Sequence, residues 1–347
     1  MNSRAAWIAI LASVTAVLVP RVVQAQSKEY LYIENSVGGD VTVISIPEHE
    51  IVSTIPATVI GHDPDDVIAS SDGTVLFVNR GSAEDVLAIS TATEEVLWQV
   101  SVGGTPNHLT LSNDDRYLYV PLLNSTFVEV VDTEKRAVVD RIPVGFGPHT
   151  TVLSADGNRV YVGNILSDRI VVFEVGTHRV VKGIPMPEGV RPFQVSPDET
   201  RLWAQLSKLH GFVEVDLATD RITKTIHLPT LDKALSPSAH DWPATFGHGM
   251  QLTPDGQYLF VAATLYDFVA IYSVPQLDLL ATVPTGKEPG WLAVNHDGRF
   301  VYATNRAENT LSIISVAERR EIRRLPVGNF PQRMKTVMVP RRTVESH

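Results

Sequence analysis

The chain has 347 residues, 44% of them apolar, a formal net charge of −10 and no cysteine. The cysteine count excludes disulfides, thiolate metal centres, covalently attached c-type haem and a cysteine-linked lipid anchor. The acidic field, unrelieved by any run of Lys or Arg, argues against nucleic acid and anionic lipid surfaces as partners.

Taken from the N-terminus, residues 1–25 stand apart. Arg4 supplies a basic start, Ala5 to Val19 is an uncharged apolar run, and Val23-Gln24-Ala25 resembles a small-residue cleavage site. This is the pattern of a secretory signal peptide cut after Ala25, with an uncleaved anchor as the alternative. The run is short for a bilayer crossing, so no membrane span is expected after cleavage. Removal takes away Arg4 and Arg21 and no acid, moving the net charge from −10 to −12. An exported chain without disulfides suits a periplasmic or secreted location.

From residue 26 onward an acidic turn recurs: Ser71-Asp72-Gly73, Asn113-Asp114-Asp115, Ala155-Asp156-Gly157, Pro197-Asp198-Glu199, Pro254-Asp255-Gly256 and His296-Asp297-Gly298. The aspartates step by 42, 42, 42, 57 and 42 residues. A period of 40 to 45 residues with four short strands per unit is the signature of propeller blades, which bury their apolar faces only by stacking. The turn acids are expected to be scaffold, because Asp and Gly suit tight turns. Within one unit, Asn107 to Ser112, Arg116 to Leu122, Phe127 to Val131 and Ala137 to Ile142 read as four strands from their β-branched and aromatic enrichment.

Second-strand starts at Tyr30, Val75, Tyr117, Val160, Leu202, Tyr258 and Phe300 give seven blades, the first without an innermost strand. Gln332 to Val339 has the length and character to supply it, which would close the ring and remove exposed sheet edges. The expected architecture is therefore all-β: residues 26–347 form one seven-bladed β-propeller of four-stranded blades, closed by the C-terminal strand in blade one. The 57-residue step places 15 extra residues between His227 and Gly247, expected as a covering or docking loop at the channel mouth or as a tolerated insertion.

Segments such as Tyr161-Val162-Gly163-Asn164, Val301-Tyr302-Ala303-Thr304-Asn305 and Asn309-Thr310-Leu311-Ser312-Ile313-Ile314 resemble the YVTN-repeat, YncE-like β-propeller family. The resemblance spans essentially the whole mature chain and is specific for fold rather than activity, since such relatives include binding proteins, lyases, lactonases and cofactor-pathway proteins. It implies a periplasmic binding or accessory propeller, in a redox or cofactor pathway of quinoprotein or haem d1 type. The alternative is an enzyme, either a metal-assisted lyase or lactonase or a cofactor-dependent oxidoreductase.

Aligning first strands on their turns places Asp65, Asn107, His149, Arg191, His248, Gly290 and Gln332 at equivalent positions, with Asp66, His108, Thr150, Pro192, Gly249, Trp291 and Arg333 one residue further. Loops held on a rigid ring are where ligand sites form. His108, His149, Arg191, His248, Trp291 and Arg333 are thus the candidate ligand-binding residues. The arginines would clamp a carboxylate or phosphate, Trp291 would form a flat wall, and the partner is a small polar or anionic ligand or a periplasmic protein. Each histidine has a structural alternative, a bond to a neighbouring loop carbonyl, and each arginine could brace adjacent blades. A transition metal on His62, His108, His149, His248 and Asp65, or a bound redox cofactor, is the further possibility. No phosphate-cradling glycine loop, Gly-x-Ser-x-Gly elbow or His-Glu-x-x-His helix is present, so catalytic residues stay unassigned, and a monomer is expected.

Overall fold

The computed structural model describes residues 27–230 and 246–340. They form seven four-stranded antiparallel sheets. The expected signal segment and most of the inserted loop, residues 231–245, lie outside the described residues.

Blade 1 runs from the innermost strand Pro331–Pro340 outward through Ser27–Asn35, Asp40–Ile46 and Glu50–Ile55. The other six blades follow chain order from their inner strands: Pro64–Ala69, Thr110–Leu111, Pro148–Leu153, Val190–Val195, Met250–Leu252 and Pro289–Val294. The last strand of the chain therefore pairs with the first, from Ser27 opposite Pro340 to Asn35 opposite Pro331. Apolar residues on facing sheets form a core between neighbouring blades. Met334 of the closing strand packs with Leu31 and Tyr302, and Val337 packs with Tyr32 and Val67, so this strand is wedged between blades 7 and 2.

The recurring turn works as scaffold in every unit where it occurs. Asp114 accepts from Ser112 Oγ at 2.6 Å and Arg116 N at 3.2 Å, Asp156 from Ser154 Oγ at 2.6 Å and Asn158 N at 2.9 Å, and Asp198 from Ser196 Oγ at 2.6 Å and Thr200 N at 3.1 Å. Asp255 repeats the pattern with Thr253 Oγ1 and Gln257 N. These bonds, the hydroxyl bond foremost, hold the four carboxyls below the usual carboxylate range. A folded-state pKa below the unfolded one contributes stability above about pH 4 that is lost as pH falls through the folded value. Denaturant unfolding at pH 7 and at pH 3 should show this acid loss, and Asp156→Asn should make it shallower. An unchanged acid limb in Asp156→Asn would remove the turn carboxylate from the account.

What positions the site is a β-bulge near the mouth end of the inner strands. In blade 2 the register jumps from Pro64 opposite Arg80 to Val67 opposite Val78, so Asp65 and Asp66 together face Asn79. The same jump sets Arg191 and Pro192 against Gln205, Gly290 and Trp291 against Thr304, and Gln332 and Arg333 against Glu34. His149 is the residue skipped in blade 4. A bulge turns two consecutive side chains away from the regular alternation, which is how the strand re-aims them.

Candidate functional site at the channel mouth

The bulges are held from the neighbouring strand by polar side chains. Asn79 Oδ1 accepts from the amides of Asp65 (3.1 Å) and Asp66 (2.6 Å), Thr304 Oγ1 from Trp291 N (3.0 Å), and Glu34 Oε1 from Arg333 N (3.2 Å). Asn79 also donates to the Asn107 carbonyl of blade 3 at 2.6 Å, tying one blade to the next. In blade 3 the inner strand is broken. His108 N there donates to His149 O at 3.2 Å, and Thr151 Oγ1 to His108 O at 2.7 Å, which brings the two histidines side by side.

The candidate side chains converge. Ring centroids lie 4.4 Å apart for His108 and His149, 5.9 Å for His149 and His248, and 6.3 Å for His108 and His248. Trp291 lies 4.6 Å from His108 and 5.9 Å from His248, and the Arg333 guanidinium stands 5.4 Å over the indole. His108, His149, Arg191, His248 and Arg333 are all buried. Residues up to 225 positions apart, from blades 1, 3, 4, 6 and 7, thus share one cluster.

The hydrogen bonds fix much of the protonation. Arg333 is always cationic and can only donate, so its contact with His108 Nε2 leaves the lone pair there and the proton on Nδ1. Burial, then Arg333, His149, His248 and Arg191, push the His108 imidazolium well below its ordinary range, and the ring is neutral. Its Nδ1–H is buried and meets no acceptor among the described residues. His248 Nδ1 donates to the Gly290 carbonyl at 3.1 Å, and His149 Nδ1 lies 2.9 Å from Thr150 Oγ1. Arg191 Nε donates to Ser207 Oγ at 3.2 Å, and Arg191, His149 and His248 each make further interactions.

Arg333 faces protein rather than open space. Its guanidinium pairs with the Asp65 carboxylate, donates to the Asp65 carbonyl and to His108, and reaches Asn107 Oδ1 at 3.1 Å. The bracing alternative therefore describes its contacts here, linking blades 1, 2 and 3. Two buried acids lie nearby, both with raised carboxyl pKa values. Burial, then Asp65, raises the Glu34 carboxyl well above its usual range, and burial raises Asp66 to about 6 against the pull of Arg333 and the Leu109 amide.

The metal set anticipated from His62, His108, His149, His248 and Asp65 is not assembled. Among the described residues no three His, Asp or Glu side chains are placed to hold one ion. The physical reason is prior engagement: His108 Nε2 faces Arg333, Asp65 pairs with Arg333, and His62 is exposed on the loop before blade 2. His210, on the same face, is tied to the Pro229 carbonyl at 3.1 Å and stacks near Tyr266. Glu34, Asn79 and Thr304 escaped sequence reading. Their one signal is a polar residue just before the polar end of an otherwise apolar second strand, as in Glu34-Asn35, Asn79-Arg80 and Thr304-Asn305.

Fold and cluster together define a seven-bladed propeller with a polar, partly cationic mouth. The chain belongs to the YNCE-like β-propeller family, whose model matches residues 48–234, while the model named lactonase, 7-bladed beta-propeller, matches residues 144–327. No curated protein matches the chain. Among solved structures it is similar to the periplasmic gluconolactonase PpgL of Pseudomonas aeruginosa, with 18% identity, 90% of this chain and 100% of that one covered, and a TM-score of 0.71. It is also similar to the dihydro-heme d1 dehydrogenase NirN (15%, 88% and 74%, TM-score 0.62). Kuenenia stuttgartiensis hydrazine synthase is a further likeness (23%, 73% and 96%, TM-score 0.51). At these identities the likeness is one of fold. No described helix is long and apolar enough to cross a membrane.

Proposed function

We propose that this is a periplasmic propeller that binds a small organic anion at the channel mouth, against His108, His149, Arg191, His248 and Trp291. The observation that carries the reading is the His108 Nδ1–H, a buried donor whose direction is dictated by Arg333 and which meets no acceptor among the described residues. Buried donors in folded proteins are almost always paired, so a ligand oxygen is the partner such a group is suited to. The nearby Arg191 guanidinium supplies charge, and the Trp291 ring supplies an apolar face. Arg333 serves as a positioning residue, because its two terminal nitrogens are directed to protein atoms.

The likeness to a periplasmic gluconolactonase and the signal-like pattern at residues 1–25 support an exported setting and suggest sugar acids as first probes. Calorimetric titration with gluconate is the test. Binding to wild type and its loss in both His149→Ala and His248→Ala, with each variant folded, is the expected result. Unchanged affinity in both variants would overturn the assignment.

A second reading, lactone hydrolysis, is favoured by the lactonase family match and by a neutral imidazole set among guanidiniums. Opening of glucono-δ-lactone faster than its spontaneous hydrolysis, and abolished in His149→Ala, would move the assignment to an enzyme.

A further inference from the structure

The inner strands line a half-open cavity of ≈ 240 Å³ in the central channel, bordered by the His108 and Trp291 side chains. Of the six mouth candidates only these two also line it. Its wall carries two charged side chains, Asp66 and Lys335. Asp66 is engaged by backbone amides, Oδ2 by Leu109 N at 2.6 Å and Oδ1 by Val67 N at 3.0 Å. Lys335, on the closing strand, is exposed to the channel and has no ion pair or side-chain hydrogen bond among the described residues. Desolvation in the channel pushes its ammonium pKa down, with Asp66 opposing.

An ammonium that faces a cavity without a contacting counter-charge is available to a mobile anion. Besides the His108 Nδ1–H assigned to the mouth, the donors available to such an anion follow from the remaining wall. Gln194 Nε2 is already committed to Met250 O at 3.1 Å, Thr110 Oγ1 to Thr151 O at 3.0 Å and Thr336 Oγ1 to Val294 O at 3.0 Å. Gln251 also lines the cavity, and its side-chain amide makes no hydrogen bond among the described residues. Lys335 and Gln251 come from blades 1 and 6 at equivalent inner-strand positions, with the small Ala293 of blade 7 between them.

We infer that this chamber is a second binding site, for a small monocarboxylate whose carboxylate is held between the Lys335 ammonium and the Gln251 amide. The size matches: at about 30 Å³ per water the cavity holds roughly eight waters, or an acid of a few carbons with some water retained. Ile68 and Val152 on the same wall suit a short alkyl tail, which distinguishes this class from inorganic anions. His108 and Trp291 border both the mouth and this chamber, whereas His149, Arg191 and His248 belong to the mouth alone, so the two sites are told apart by the last three.

Titration of the mature chain with propionate, followed by calorimetry, tests it. Wild type should bind propionate. Lys335→Met should weaken it by about tenfold or more, the value of one charge-assisted hydrogen bond, whereas Lys335→Arg and Arg191→Met should retain it. Because Lys335 has no partner among the described residues, Lys335→Met should melt like wild type; Lys335→Gln serves as a second uncharged variant. The inference is overturned by absence of propionate binding to wild type, by equal binding in Lys335→Met and Lys335→Gln, or by competition from chloride as effective as that from acetate. Loss of propionate in Arg191→Met with Lys335→Met unaffected would place the carboxylate at the mouth and also overturn it.

Discussion

A chain ending at Phe330 is expected to lose its cooperative unfolding transition. The deleted strand pairs with Ser27–Asn35 along its whole length and fills the gap between blades 7 and 2 through Met334 and Val337. Burial of two such side chains is worth about 1.5–3 kcal/mol each, and each lost ladder bond about 0.5–1.5 kcal/mol. Together these approach the roughly 5–15 kcal/mol that separates a folded domain from its unfolded chain. The deletion also uncovers backbone. Thr336 Oγ1 bonds the Val294 carbonyl of blade 7, and Gly73 of blade 2 packs so closely on the Met338 carbonyl that a Cβ would lie 2.0 Å from its oxygen. Circular dichroism melting and sedimentation should show a broad, aggregating species. A truncated chain with wild-type melting and solubility would refute closure by this strand.

The second large effect is expected at Arg333. Its side chain is 2% exposed and its partner Asp65 21% exposed, and three blades meet at its guanidinium. Removing one partner of a buried ion pair costs about 3–5 kcal/mol, and the lower end applies because Asp65 keeps some contact with solvent. Arg333→Met should therefore lose about 3 kcal/mol in denaturant unfolding at pH 7. A loss under about 1 kcal/mol would mean that the guanidinium does not lock the ring.

The contrast between these two sites shows what the sequence carries. Period and turn aspartates were legible because each depends on chemistry within a few residues, and the closing strand because the repeat count left blade 1 one strand short. Asp156, for example, is held by Ser154 and Asn158, its immediate neighbours. The placing of His108, His149, His248 and Trp291 at inner-strand starts on one face was legible as well, since a repeat of fixed length returns equivalent positions, whereas the meeting of their rings is seen only in the structure. The orientation of those side chains was not legible. It depends on bulges that appear only when the pairing register is known, and on acceptors such as Asn79, Thr304 and Glu34 that lie on the adjacent strand. The role of Arg333 and the failure of the metal set share this cause. Which group takes each imidazole nitrogen is decided by residues as far apart as His108 and Arg333.

The central claim, that the mouth cluster receives a small organic anion through the His108 donor, is tested most directly by NMR of the imidazole nitrogens in uniformly ¹⁵N-labelled protein titrated with gluconate. The account predicts a neutral His108 with its proton on Nδ1, and a saturable shift of that nitrogen together with those of His149 and His248, while the exposed His62 stays fixed. An imidazolium at His108 near neutral pH, or saturation of the protein with gluconate without movement of these three rings, would contradict it.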